Sequence, residues 1–308
     1  MTLILQVAFP VFAVIAAGFF AGRFNLIPGE DVASLNRFVF RFAMPAALFG
    51  LTATAKPIDA DALPYALAFA VAAGLNMGWV NIVARHFLQR RGPAAGAIAL
   101  SSSFGNAVFL GLPIAMSIEG WAENFVVLML VEGIGIIALG AAMLAPGSKT
   151  VFQLLTNPLR NPIVAGMIAG LVVSSVANLT SFSLPEPVIQ TFRLLGRAAG
   201  PTALFAIGLF LSQLPYAMSD RIRNAVLVIG IAKLLALPAL TFGILWVAGL
   251  RDPTWMGPIA LFTLVPSAVG SFVMADQAGA AREEVAMAVA ITTVFSVLTV
   301  SGVLLTFT

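Results

Sequence analysis

The sequence predicts an all-α polytopic membrane protein with ten transmembrane helices, arranged as an inverted repeat of five plus five. Three observations carry that expectation. Apolar residues fill 60% of the 308 positions and charged residues only 9%, whereas soluble domains run near 45–50% and about 25%. The mean hydropathy of +1.02 agrees. Ten hydrophobic runs divide the chain with short connectors between them, and patterns in its first half recur in its second. At about 20 residues per span, ten spans leave no room for a separate soluble catalytic domain.

The first run, 3–22, is as long as a full span and lacks a positive leader segment, so it reads as a membrane helix rather than a secretory signal. Runs at 33–54, 62–84, 95–116 and 122–144 complete a first five-helix unit, residues 1–144. A short cytoplasmic connector, 145–160, precedes a second unit, 161–308, with runs at 161–180, 188–214, 222–249, 256–276 and 284–306. The fourth and ninth runs are each broken by Pro and Gly.

Loop charge sets the orientation. With the N-terminus outside, Arg23, Arg85, Arg90, Arg91, Lys149, Arg160, Arg221, Arg223 and Arg282 fall inside and only Lys56 and Arg251 outside. That bias is what the positive-inside rule expects, and it places both termini outward. The pI of about 9.8 is then loop charge, and nucleic acid is not an expected partner.

The repeat is legible in three places. Arg37, Arg41, Pro45, Leu48 and Phe49 recur as Arg193, Arg197, Pro201, Leu204 and Phe205, each shifted by 156. Pro10 and Gly18 match Pro162 and Gly170, and Asn106-Ala107-Val108 matches Ser267-Ala268-Val269. An odd number of spans per half makes the second half enter from the opposite side, a common plan for secondary transporters.

Broken helices in corresponding places of two halves point to a central binding site. Pro removes a backbone donor, and freed polar groups at membrane depth need protein or a water-lined cavity. Ser101-Ser102-Ser103-Phe104-Gly105-Asn106 and Gly111-Leu112-Pro113 mark the fourth helix, and Pro266-Ser267 the ninth. Candidate substrate-binding residues are therefore Asn106, Pro113, Pro266 and Ser267, with half-helix amides favouring an anion. Two mid-span charges, Glu132 and Lys233, are expected to face the bundle interior. They read as a structural pair, or as a proton-coupling carboxylate (Glu132) and a cation facing the substrate (Lys233), and these readings are compatible. The arginine pairs Arg37/Arg41 and Arg193/Arg197 read as interface anchors that snorkel to headgroups. Asp276 reads as a capping or loop residue, and Ser101 to Ser103 as partners of backbone carbonyls.

Catalysis is not expected. The chain has no Cys and a single His, His86, which removes thiolate chemistry and makes a triad or His-rich metal site hard to build. No cofactor or metal is implied.

With those motifs in hand, the sequence resembles the auxin efflux carrier family. Asn106-x6-Pro113 closed by Gly111-Leu112-Pro113, Arg160-Asn161-Pro162, Pro201-x2-Leu204-Phe205-x2-Gly208, and Pro266 with Phe272 look like that family's fourth, sixth, seventh and ninth helices. The resemblance implies a scaffold of helices 1, 2, 6 and 7 that also forms a homodimer interface. It implies a mobile transport domain of helices 3–5 and 8–10, with helices 4 and 9 crossing at their prolines. It further implies elevator-like carriage of small organic anions, with Asn106 matching a carboxylate contact. Ser267 stands where plant members often carry Gln, so substrate contacts should differ. The short connector does not imply the regulation associated with a long hydrophilic loop, and small carboxylates are a safer class than auxin. The expected setting is a bacterial inner membrane, with lipid and a small organic anion as partners. Alternatives are a sodium-coupled carrier like the bile-acid symporters, or a non-transporting receptor or scaffold.

Overall fold

The computed structural model describes residues 2–54, 60–145, 161–180, 183–213 and 218–307. Lys56, Lys149, Arg160 and nearly all of the 145–160 connector lie outside them. Among the described residues the chain is helical throughout, with no strands. We label the segments α1 (Thr2–Arg23), α2 (32–53), α3 (Leu63–His86), α4a (Pro93–Ser103) and α4b (Ala107–Met116), and α5 (Trp121–Leu144). There follow α6 (Pro162–Leu179), α7 (Glu186–Leu211), α8 (Asp220–Val247), α9a (Pro253–Leu264), α9b (Val269–Gln277) and α10 (Arg282–Phe307).

Six of these, α3, α5, α6, α7, α8 and α10, are long and apolar enough to cross a membrane. Helix α3 shows how the sequence produces such an element. Leu63, Leu67, Val71, Leu75 and Ile82 run down one face and are exposed, while Phe69, Ala73, Asn76, Met77 and Val80 are buried. Apolar side chains outside and a polar Asn inside reverse the soluble pattern, and suit a helix whose outer face meets lipid.

Three helices widen just ahead of a proline. The π-type turns Val39–Ala43, Ala107–Gly111 and Ala232–Ala236 each end two residues before Pro45, Pro113 and Pro238. Proline cannot donate to the fourth preceding carbonyl, and its ring pushes that carbonyl aside. A wider turn, bonding five residues back, absorbs both effects. Glu132–Ile137 in α5 is a further π-type turn, without a proline.

Glycines fix the closest helix contacts. A Cβ on Gly18 of α1 would lie 2.1 Å from the Phe205 carbonyl oxygen of α7, and one on Gly170 of α6 would lie 2.6 Å from the Phe49 carbonyl of α2. Gly18 and Gly170, like Phe49 and Phe205, are the counterparts named by the sequence repeat. Equivalent glycines thus seat equivalent backbones, α1 on α7 and α6 on α2.

Candidate functional site at the crossing of two broken helices

The break in α4 spans Phe104 to Asn106, where the backbone leaves helical geometry, and the break in α9 spans Val265 to Ala268. The two extended stretches meet. The Asn106 amide donates to the Pro266 carbonyl at 2.8 Å, and the Ala268 amide donates to the Phe104 carbonyl at 2.9 Å. This antiparallel bridge, Gly105 opposite Ser267, satisfies four backbone groups that the breaks would otherwise strand away from water.

Glycine is required at its centre. A Cβ on Gly105 would lie 2.9 Å from Val265, 3.3 Å from Lys233 Nζ and 3.4 Å from Glu132 Oε1. The two mid-span charges therefore flank the bridge, as expected of buried ions. The Gly105 amide donates to Glu132 Oε1 at 2.7 Å, and Lys233 Nζ donates to the Thr263 carbonyl at 2.8 Å. Both side chains are buried, Lys233 completely. Thr263 lies in the last turn of α9a, where unpaired carbonyls gather negative charge, so the ammonium caps that half-helix.

Asn106 is the N-terminal flank of α4b, and its own carbonyl accepts from Leu110 and Gly111. Its side chain is 2% exposed and its Nδ2 has no hydrogen-bond partner among the described residues. A buried donor left unpaired costs about 1–3 kcal/mol, so a missing partner is implied. Asn106, Gly105 and Glu132 line a cavity of about 40 Å³ between α2, the crossing and α5, walled mainly by Met44, Leu48, Phe104 and Phe109. That volume holds a water or two.

Two expected contributors are placed differently. The Ser267 hydroxyl donates to the Ser101 carbonyl at 2.7 Å, and its amide donates to Thr292 Oγ1 at 3.1 Å. The serine proton therefore serves the last turn of α4a rather than the cavity, because that carbonyl has lost its helical partner at the break. Pro113 is exposed, and it shapes the site only through the wide turn behind it. Pro266 is at the bridge itself.

The sequence reading missed part of the support. Asn76 of α3 is fully buried and donates to the Ser102 carbonyl at 2.9 Å and to Ser103 Oγ at 3.0 Å. A polar residue in the middle of an apolar run was the available signal. Two of the three serines serve backbone carbonyls, Ser102 donating to Ala99 and Ser103 to Ala73, while the Ser101 hydroxyl accepts from Ser271 Oγ at 3.2 Å. Asp276 is a tie between helices, accepting from Asn36 Nδ2 at 2.8 Å and pairing with Arg282 at 2.5 Å. Arg193 and Arg197, read as lipid anchors, line a hollow beside the cavity. Among the described residues, no three of His, Cys, Asp and Glu gather where they could hold a metal.

Comparison with known proteins adds to this geometry. A family model described as "Membrane transport protein" matches residues 3–304. A Rhizobium meliloti (strain 1021) protein named "Putative malonate transporter" is 28% identical, over 96% of this chain and 93% of its own length. "Uncharacterized transporter YfdV" of Escherichia coli (strain K12) is 25% identical, over 69% of this chain and 70% of its own.

Proposed function

Since the chain belongs to the membrane transport protein family, that of the auxin efflux carriers, we propose that it is a secondary carrier for small organic anions, dicarboxylates such as malonate foremost. It is an integral membrane transporter and not an enzyme. The observation that carries the substrate class is the unpartnered Nδ2 of Asn106, buried at the start of α4b beside amides that no helical carbonyl precedes. Donors of that kind suit a carboxylate. The relative named for malonate points the same way.

In this reading Asn106 and the first amides of α4b donate to the anion. Lys233, behind Gly105, offsets its charge. Glu132, on the other side of Gly105, is the group assigned to carry a coupled proton. Ser267 and Pro266 hold the crossing. The ammonium at the end of α9a occupies a position of the sort that binds a coupling cation in transporters with broken helices, which favours a sodium-independent carrier over a sodium symporter.

The reading extends to ten spans in an inverted repeat, supported by the matched glycine contacts. Helices α1, α2, α6 and α7 form a dimeric scaffold, and α3–α5 with α8–α10 form an elevator that moves the crossing. The setting is a bacterial inner membrane with both termini outside. At about 40 Å³ the cavity is too small for a dicarboxylate, so loading the anion requires the two parts to separate.

Thermal stability of the purified protein against malonate, malate, succinate and indole-3-acetate, with and without sodium, tests the assignment, because a ligand of the folded state raises its melting temperature. A shift with dicarboxylates that disappears in Asn106→Ala is expected. A shift that survives the substitution removes Asn106 from the site, and silence across the panel in folded protein removes small carboxylates.

A further inference from the structure

We propose that Arg193 and Arg197 form a second, outer anion subsite, a basic vestibule that takes a small dicarboxylate from solvent and hands it to the cavity beside Asn106. The proposal rests on the carboxylate-carrier reading and deepens it.

The i,i+4 spacing puts both arginines on one face of α7. That face lines an open hollow of about 420 Å³ among α2, α4b, α5 and α7. The hollow and the crossing cavity share Ala47, Leu48, Leu51, Val108, Phe109 and Met129 as walls, so they adjoin and are divided only by these side chains. The outer compartment has room for a dicarboxylate, whereas the inner one has about 40 Å³.

Close packing fixes the arginine face beside those shared walls. A Cβ on Gly196 would lie 2.7 Å from Ala47 Cα, and one on Gly200 would lie 2.6 Å from the Phe109 ring. Helix α7 therefore approaches both shared walls as nearly as backbone allows, one on each side of Arg197 in sequence.

Charge in the hollow has one sign, because among the described residues the only charged ones lining it are the two arginines. Arg193 is partly offset by Glu186 at 3.8 Å, with both side chains well exposed. Arg197 makes no ion pair among the described residues. A guanidinium presents a planar fork of donors that fits a carboxylate, and a one-signed concave surface concentrates the opposite ion and speeds its arrival. An arginine serving only as a lipid anchor would have no reason to line a recess that shares its walls with the cavity beside Asn106.

Initial rates of radiolabelled malonate uptake into proteoliposomes, at low and high ionic strength, test this with Arg197→Gln and Arg197→Lys. Arg197→Gln is expected to raise KM about five- to tenfold, with kcat within about twofold, and to flatten the rise of KM with salt seen in the wild type. Arg197→Lys should restore most of the salt dependence, since it keeps the charge. Unchanged KM in Arg197→Gln, with fewer folded carriers or a lower melting temperature, would assign Arg197 to anchoring and overturn the vestibule alone. A wild-type carrier that takes up neither malonate, malate nor succinate would overturn the carboxylate reading and the vestibule together.

Discussion

Asn106, Glu132 and Lys233 stood out in the sequence because polar groups in a membrane span are costly and therefore rarely idle. The structure gathers them around Gly105. What the sequence did not disclose was the direction of each hydrogen bond. Ser267 looked like a donor to substrate, yet its proton goes to the Ser101 carbonyl, a pairing between residues 166 positions apart that no local pattern encodes. Two predictions belong at this scale. Asn106→Ala should weaken dicarboxylate binding by about 1–3 kcal/mol, or about 5- to 150-fold, read by calorimetric titration of the purified carrier. Removing one of the buried charges, as in Lys233→Met, should destabilise the fold by about 3–5 kcal/mol because it leaves Glu132 uncompensated. The double variant Lys233→Met/Glu132→Gln should recover most of that melting temperature. Equal losses in the single and double variants would show that the two charges do not act on each other.

Along the helices, hydrophobic length and proline position were the legible features, and the described helices follow the hydrophobic runs closely. The π-type turns were not legible, although a proline two residues downstream accounts for three of them. The surroundings of the arginines on α7 were not legible for a related reason. Spacing shows that Arg193 and Arg197 share a face, but only packing shows that the face borders a recess. Helix contacts make a sharp prediction about glycine. Gly18→Ala forces a methyl group to within 2.1 Å of the Phe205 carbonyl oxygen, and should cost about 1–3 kcal/mol through overpacking. Gly78→Ala, in the exposed surface of α3 with nothing within 4 Å, should gain about 0.5–1 kcal/mol from helix propensity. Melting curves in one detergent compare them, and similar behaviour of the two variants would count against the α1–α7 packing.

For the molecule as a whole, the Asn36–Asp276–Arg282 tie joins α2 to α9b and α10, and Arg282 also lies 5.0 Å over the Phe210 ring of α7. If α2 and α7 stay fixed while α9 travels, this tie must open in every cycle. The chain contains no cysteine, so Asn36→Cys with Asp276→Cys can be bridged by a short, cleavable thiol reagent without background. Uptake should stop on bridging and return on cleavage, and uptake that persists would exclude relative motion at this point. The bridge of the two broken helices has a different consequence. Its two hydrogen bonds run from main chain to main chain, and the side chains that brace it, Glu132, Lys233, Ser267 and Asn76, are distinct from the apolar walls of the cavity. The walls of the cavity and the joint of the two helices are thus largely separate sets of residues. In the proposed carrier, apolar wall residues such as Met44 and Leu48 can be exchanged to suit a new solute while the joint of the broken helices stays as it was, which makes the chain a practical starting point for redesigning what is carried.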